Sequence, residues 1–115
     1  DPDKELFAYY PNIHNPSGIV VPPALIAHEE VHLHRQRDAG PIKWWGQYLT
    51  DSEFRYNEEL LAHAAEFKLQ RSSDRNQGAR LLMATALRLV APLYNYQPPH
   101  SLQQAMKDLR QEIAK

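Results

Sequence analysis

The sequence predicts a mainly α, α+β domain, with a short N-terminal β element followed by four to five helices. Three observations carry that expectation. Residues 23–114 break into helix-length stretches of periodic apolar residues, each bounded by proline, glycine or a capping side chain. Residues 1–22 instead mix aromatic and β-branched residues with Pro11, Pro16 and Gly18. The chain has 115 residues and no cysteine, so one domain over residues 1–115 must be held by packing rather than by disulfides.

Each element follows from local chemistry. The "NPSG" run at 15–18 is a turn signal, and flanking strands are expected at Leu6–Tyr10 and Gly18–Val21. A helix starts near Pro23, a favoured first-turn residue, and stops at Gly40–Pro41. The stretch "IKWWGQYL" is expected as a short helix or turn. In "TDSE", Thr50 is expected as the N-cap and Glu53 as the residue reaching back, a capping box. The helix after it is expected to run to about Arg71, where "SSD" breaks it. A fourth helix is expected over Arg75–Ala91, ended by Pro92. Ser101 with Gln104 caps a last helix to about Ala114. That helix places Leu102, Met106, Leu109 and Ile113 in one stripe, and packing on the body is expected ahead of folding over a cleft.

Composition removes several functions. Net charge is −1, with no cluster of Lys and Arg, so no nucleic-acid partner is expected. No apolar run is long enough for a membrane span, so no membrane role is expected either. The absence of cysteine fits a cytoplasmic setting. It also confines any zinc site to histidine and carboxylate ligands, the palette of catalytic sites more than of structural ones.

The stretch "LIAHEEVHLHRQRDAG" contains H-E-x-x-H. On a helix, His28 and His32 are four residues and about 40° apart, so both rings can turn to one cation. Glu29 lies on the neighbouring side, where it can reach a water held there but not easily the metal itself. That division of labour is what makes the pattern a zinc-hydrolase motif. Gln36 continues the stripe of His28 and His32. Glu30, His34 and Arg37 fall on the opposite side and are expected as a solvated face.

A cation needs a third ligand. "FRYNEELLAHAAEFKLQ" on a later helix offers Glu58, Glu59 and His63. Glu59 and His63 share a polar stripe with Arg55, Glu66 and Gln70, whereas Glu58 falls among Phe54, Leu61, Ala65 and Leu69. Angle counting leaves all three open.

"IHNPSGIVVPPALIAHEEVHLHRQ", "WWGQYL" and "FRYNEELLAHAAEFKLQ" together resemble a known pattern. H-E-x-x-H followed by a glutamate from a later helix resembles the gluzincin type of zinc metallopeptidase. The order of motifs is more closely similar to the small single-domain metallopeptidase-like proteins of bacteriophage and prophage genomes. Those carry an Asn-Pro strand region, H-E-x-x-H, a Trp/Tyr-rich connector, then F-R-x-x-x-E-x-x-A-Y. The resemblance covers roughly residues 13–70. It implies a minimal zincin-like domain, a zinc cofactor and a peptide or protein substrate, in a bacterial or phage-infected cell. Aligned on Phe54–Arg55, the family's glutamate falls on Glu59, so the implied ligands are His28, His32 and Glu59. The family's tyrosine is His63 here. The resemblance implies that His63 hydrogen-bonds the zinc histidine His28, and it also leaves His63 open as a direct ligand.

The expected function is zinc-dependent peptide hydrolysis, with Glu29 as general base and His63 assisting. The oxyanion donor is expected among His63, Tyr56 and Arg55. Gly18–Val21 is the expected strand edge for an extended substrate. Trp44 and Trp45 are expected in the core, with a substrate wall as the other reading. Tyr94, Tyr96 and His100 carry no expected role. The alternative function is a catalytically inactive zinc-binding protein that keeps a peptidase-like shape for binding a partner.

Overall fold

The computed structural model describes residues 6–71 and 74–115. The expected "SSD" break falls largely outside them. Two strands, β1 (Phe7–Tyr9) and β2 (Asn12–His14), precede five helices: α1 (Pro23–Ala39), α2 (Pro41–Thr50), α3 (Ser52–Gln70), α4 (Arg75–Leu89) and α5 (Leu102–Ile113). A single 3₁₀ turn, Pro92–Tyr94, links α4 to the last loop. The mainly helical α+β architecture is therefore as the sequence predicts. Among the described residues no helix is long and apolar enough to cross a membrane.

The strands pair antiparallel, with Phe7 opposite His14 and Tyr9 opposite Asn12. The hairpin thus closes at Tyr10–Pro11, earlier than expected. Gly18–Val21 is not a strand. The "NPSG" turn is real, since the Gly18 N–H donates to the Asn15 carbonyl and Gly18 adopts φ 68°. The chain then runs to α1 as an exposed connector, with Ile19 and Val20 in solvent. β-Branched residues there suggest a strand, but among the described residues no partner strand faces them.

α1 ends at Gly40, whose N–H bonds back to the Gln36 carbonyl with φ 93°. Its buried residues are Ala24, His28, His32 and Gln36, spaced every four positions. The buried stripe of this helix is therefore polar. Gln36 is fully enclosed and ties β1 to α1: its amide donates to the Ala8 carbonyl, and its oxygen accepts from the Tyr10 N–H.

The N-cap of α3 is Asp51, not Thr50. Its carboxylate accepts from the Glu53 and Phe54 N–H groups, whereas the Thr50 hydroxyl donates to the Gly46 carbonyl. Thr50 still belongs to α2, and a residue committed to one helix cannot cap the next. Asp74 caps α4 and Ser101 caps α5, the latter accepting from the Gln104 N–H. α4 stops at Leu89, short of the expected Ala91.

α3 lies at the centre of the molecule. One side packs on α4 and α5 through Tyr56, Ala64, Ala86, Leu89, Tyr96, Ala105 and Leu109. The other side packs on α1 and α2. α5 belongs to the apolar side and contributes nothing to the cleft that opens on the α1–α2 side. Its amphipathic stripe is therefore spent on packing.

A candidate metal centre between the first and third helices

His28 and His32 leave α1 one turn apart and meet Glu59 of α3. The Glu59 Oε2 lies 3.2 Å from the Nε2 of His28 and 3.2 Å from the Nε2 of His32. All three residues are buried. Two ligands each about 2.0–2.1 Å from one tetrahedral cation lie about 3.3 Å apart. The observed separations match that spacing, so two imidazole nitrogens and one carboxylate oxygen can hold a metal ion together.

The atoms that do not face this point are held from behind. The Nδ1 of His28 is 3.0 Å from Glu66 Oε1. The second oxygen of Glu59 accepts a 2.7 Å hydrogen bond from the Tyr48 hydroxyl. Glu66 also accepts from Arg88. A carboxylate behind a ligating histidine fixes its tautomer and raises its basicity. The Nδ1 of His32 has no partner among the described residues; its ring packs against Trp44, with centroids 5.4 Å apart.

Electrostatics follow from burial against charge. Burial alone would lower the His28 pKa, but hydrogen bonds to Glu59 and Glu66 hold it up at about 9. Burial would raise Glu59, but the two imidazoles hold it well below the usual carboxylate range. Burial likewise opposes the Glu66 carboxylate, and His28 and Arg88 bring it down. Among the described residues Glu29 has no such cationic partner in hydrogen-bond contact. Burial raises its pKa, and the Ala8 N–H and the imidazoles offset only part of that.

The site opens into a cleft of about 660 Å³. His28, Glu29, His32, Tyr48 and Glu59 form its polar floor, and Phe7, Trp45, Leu49 and Leu93 are among its apolar walls. Leu49 and Leu93 are largely exposed. Trp44 is 1% exposed and stacks on Tyr48, so it is core and cleft floor at once. Trp45 is half-buried and stacks on Tyr9.

The structure thus brings His28, Glu29, His32 and Glu59 together. Glu58 is buried elsewhere, in an ion pair with Arg35. Glu30 and His34 are exposed, as their side of α1 implies. His63 is not the hydrogen-bonding partner of His28. Its ring stands edge-on to that of His28, with centroids 4.6 Å apart, and Glu66 takes the Nδ1. The side chain of Glu66 is one turn further along the same stripe of α3 and has the reach that His63 lacks. His63 is not part of the cleft lining, and burial together with the His28 charge lowers its pKa to about 3.

Two expected oxyanion donors are committed elsewhere. Tyr56 donates to Asp108 and stacks on His100 at 3.7 Å, on the apolar side of α3. Arg55 donates to the carbonyls of Tyr48, Tyr94 and Asn95, which fastens the last loop to α2 and α3. The Ala8 carbonyl, on the outer edge of β1, is already taken by the Gln36 amide. That edge is closed at its centre to a substrate strand.

Tyr48 and Tyr94 are the cleft residues that sequence reasoning missed. Tyr48 had a faint signal, one turn after Trp44 on a helix already expected to be aromatic. Tyr94 comes from the Pro-rich turn after α4, where no periodicity points anywhere. No protein-family model matches this chain, and neither a curated protein nor a solved structure matches it.

Proposed function

We propose that the protein is a zinc-dependent peptidase, with His28, His32 and Glu59 as the metal ligands and Glu29 as the general base. The observation that carries this reading is the convergence of both Nε2 atoms on one Glu59 oxygen at the floor of an open cleft that also holds Glu29. Two imidazoles and a carboxylate are the donor set of catalytic zinc, which leaves a position for substrate or water. Zinc bound there would supply Lewis acidity to a substrate carbonyl and to a water.

The protein's own groups do the rest. Glu66 keeps the proton of His28 on Nδ1, so that Nε2 offers a lone pair to the cation. Tyr48 occupies one Glu59 oxygen and leaves the other for the metal. Glu29, raised by burial, accepts the proton of the attacking water and returns it to the leaving amine. The walls of Phe7, Trp45, Leu49 and Leu93 suit a peptide with apolar side chains rather than a charged polymer.

The test is cleavage of a labelled unfolded protein by zinc-loaded material. Glu29→Gln is expected to lower kcat by at least about 100-fold, since general base catalysis contributes on the order of 10²–10⁴. Its zinc content stays at that of the parent protein. Equal cleavage by Glu29→Gln would remove the mechanism. Zinc retention without cleavage of any peptide in a broad library would leave a metal-holding binding protein instead.

A further inference from the structure

Behind the cleft, a row of side chains runs from a half-exposed cation to the hydroxyl of Tyr94, a residue of the cleft lining. Arg88 of α4 reaches Glu66 and also lies 3.2 Å from the Nδ1 of His63. The Nε2 of His63 lies 3.2 Å from the Tyr94 hydroxyl. Tyr94 lines the cleft, and its ring is steadied by stacking on Tyr96 at 5.6 Å.

The direction of each hydrogen bond is fixed by donor chemistry. A guanidinium only donates. Arg88 therefore makes the Nδ1 of His63 an acceptor, and a neutral imidazole then carries its proton on Nε2. The opposite tautomer would need an acceptor at Nδ1. Its nearest carboxylate oxygen, Glu66 Oε1, is 3.9 Å away, beyond hydrogen-bond reach. Nε2–H of His63 must then donate to the Tyr94 oxygen. The Tyr94 proton cannot point back at His63, and no other acceptor bonds it among the described residues.

The same geometry argues against a second metal site here. His28, His63 and Glu66 also place ligand atoms near one another, but the Arg88 guanidinium already bonds Glu66 and His63. A cation lodged in the cluster repels another.

We propose that Arg88 and His63 form a one-way relay that presents the Tyr94 hydroxyl proton to the cleft, where Tyr94 donates to an acceptor oxygen of the bound ligand. Arg88 and His63 are positioning residues in this relay. Tyr94 is the group that touches the ligand. The ligand class is a carbonyl, hydroxamate or carboxylate seated over His28, Glu29 and Glu59. The identity of that ligand rests on the peptidase reading, whereas the direction of the relay does not.

Two measurements test it. Histidine ¹⁵N NMR on chelator-treated protein is expected to show His63 with its proton on Nε2 and a bare Nδ1. In Arg88→Met the fixed tautomer is expected to give way to a mixture, a change that a merely structural arginine would not produce. Calorimetry with acetohydroxamate and zinc-loaded protein is expected to show about tenfold weaker binding in Tyr94→Phe, one hydrogen bond's worth, at unchanged zinc content. A proton on Nδ1 of His63 overturns the relay, as does acetohydroxamate affinity within twofold of the parent in Tyr94→Phe. If the parent binds no zinc, the peptidase reading fails and the tautomer alone decides the relay.

Discussion

α3 is packed on both sides, and the two sides are built from opposite materials. Toward α4 and α5 it presents Tyr56 and Ala64 to Ala86, Leu89, Ala105 and Leu109. Toward α1 it buries Glu58, Glu59 and Glu66 against His28, His32 and Arg35. The first interface gains stability with every apolar atom removed from water. The second must desolvate several ionisable groups and recovers that cost only by pairing each of them closely. A small protein with no disulfides has every reason to fill both sides with Leu and Ala. That it does not sets the α1–α3 side apart as the candidate metal site, and the α4–α5 side as the support that holds it.

Three experiments break or sharpen this contrast, beginning with the largest effect on stability. Leu109 is wholly enclosed, so Leu109→Ala is expected to cost roughly 2–5 kcal/mol of unfolding free energy. Denaturant titration reads that loss, and zinc affinity measured in the same protein below its transition stays unchanged. A fall in both would mean that the two sides are not separable.

Glu66→Gln acts on the other side. It keeps the shape of the residue behind His28 but removes the charge that orients and polarises the ring. Loss of such a partner lowers metal affinity by about 10–100-fold. Competition with a zinc chelator measures it, and a change below threefold would mean that Glu66 is only a packing group.

The smallest effect is a slope. In chelator-treated protein His28 sits at about 9, above its ordinary 6.5, because Glu59 and Glu66 outweigh its burial. A raised histidine contributes stability that is complete below 6.5 and is lost as pH climbs through about 9. Between those values the His28 contribution should fall by at most about 1.4 kcal/mol per pH unit. His28→Gln is expected to flatten that slope, and Leu109→Ala to shift the whole curve without changing it. Identical slopes in parent and His28→Gln would refute the assignment.

The same contrast explains how much of the molecule was legible in the sequence. The apolar side announces itself by periodicity, and Leu102, Met106, Leu109 and Ile113 were readable as one packed stripe. The ends of α1 were readable from Pro23 and Gly40. On the polar side, hydrophobic periodicity is silent, because the buried stripe of α1 is Ala24, His28, His32 and Gln36. There the H-E-x-x-H spacing supplied the signal, and only a resemblance favoured Glu59 over Glu58. Angle counting put Glu58 in an apolar stripe and could not know that Arg35 of α1 would meet it. The reach of Glu66 past His63 was hidden for a related reason. Side-chain length and the approach of a partner helix decide such contacts, and neither is written in spacing. Tyr94 was invisible because a Pro-rich turn has no period, and its place over the cleft depends on Arg55 holding two of that loop's carbonyls.

The central claim is that Glu59 completes a three-residue site with His28 and His32. X-ray absorption at the zinc edge, on chelator-treated protein reloaded with zinc, tests it most directly. The expected spectrum, at one zinc per chain, has two imidazole nitrogens at about 2.0–2.1 Å and oxygen ligands beside them. In Glu59→Ala the same titration is expected to leave little or no zinc bound. A parent protein that takes up no zinc, or a Glu59→Ala protein that binds zinc as tightly with an unchanged spectrum, would contradict the account.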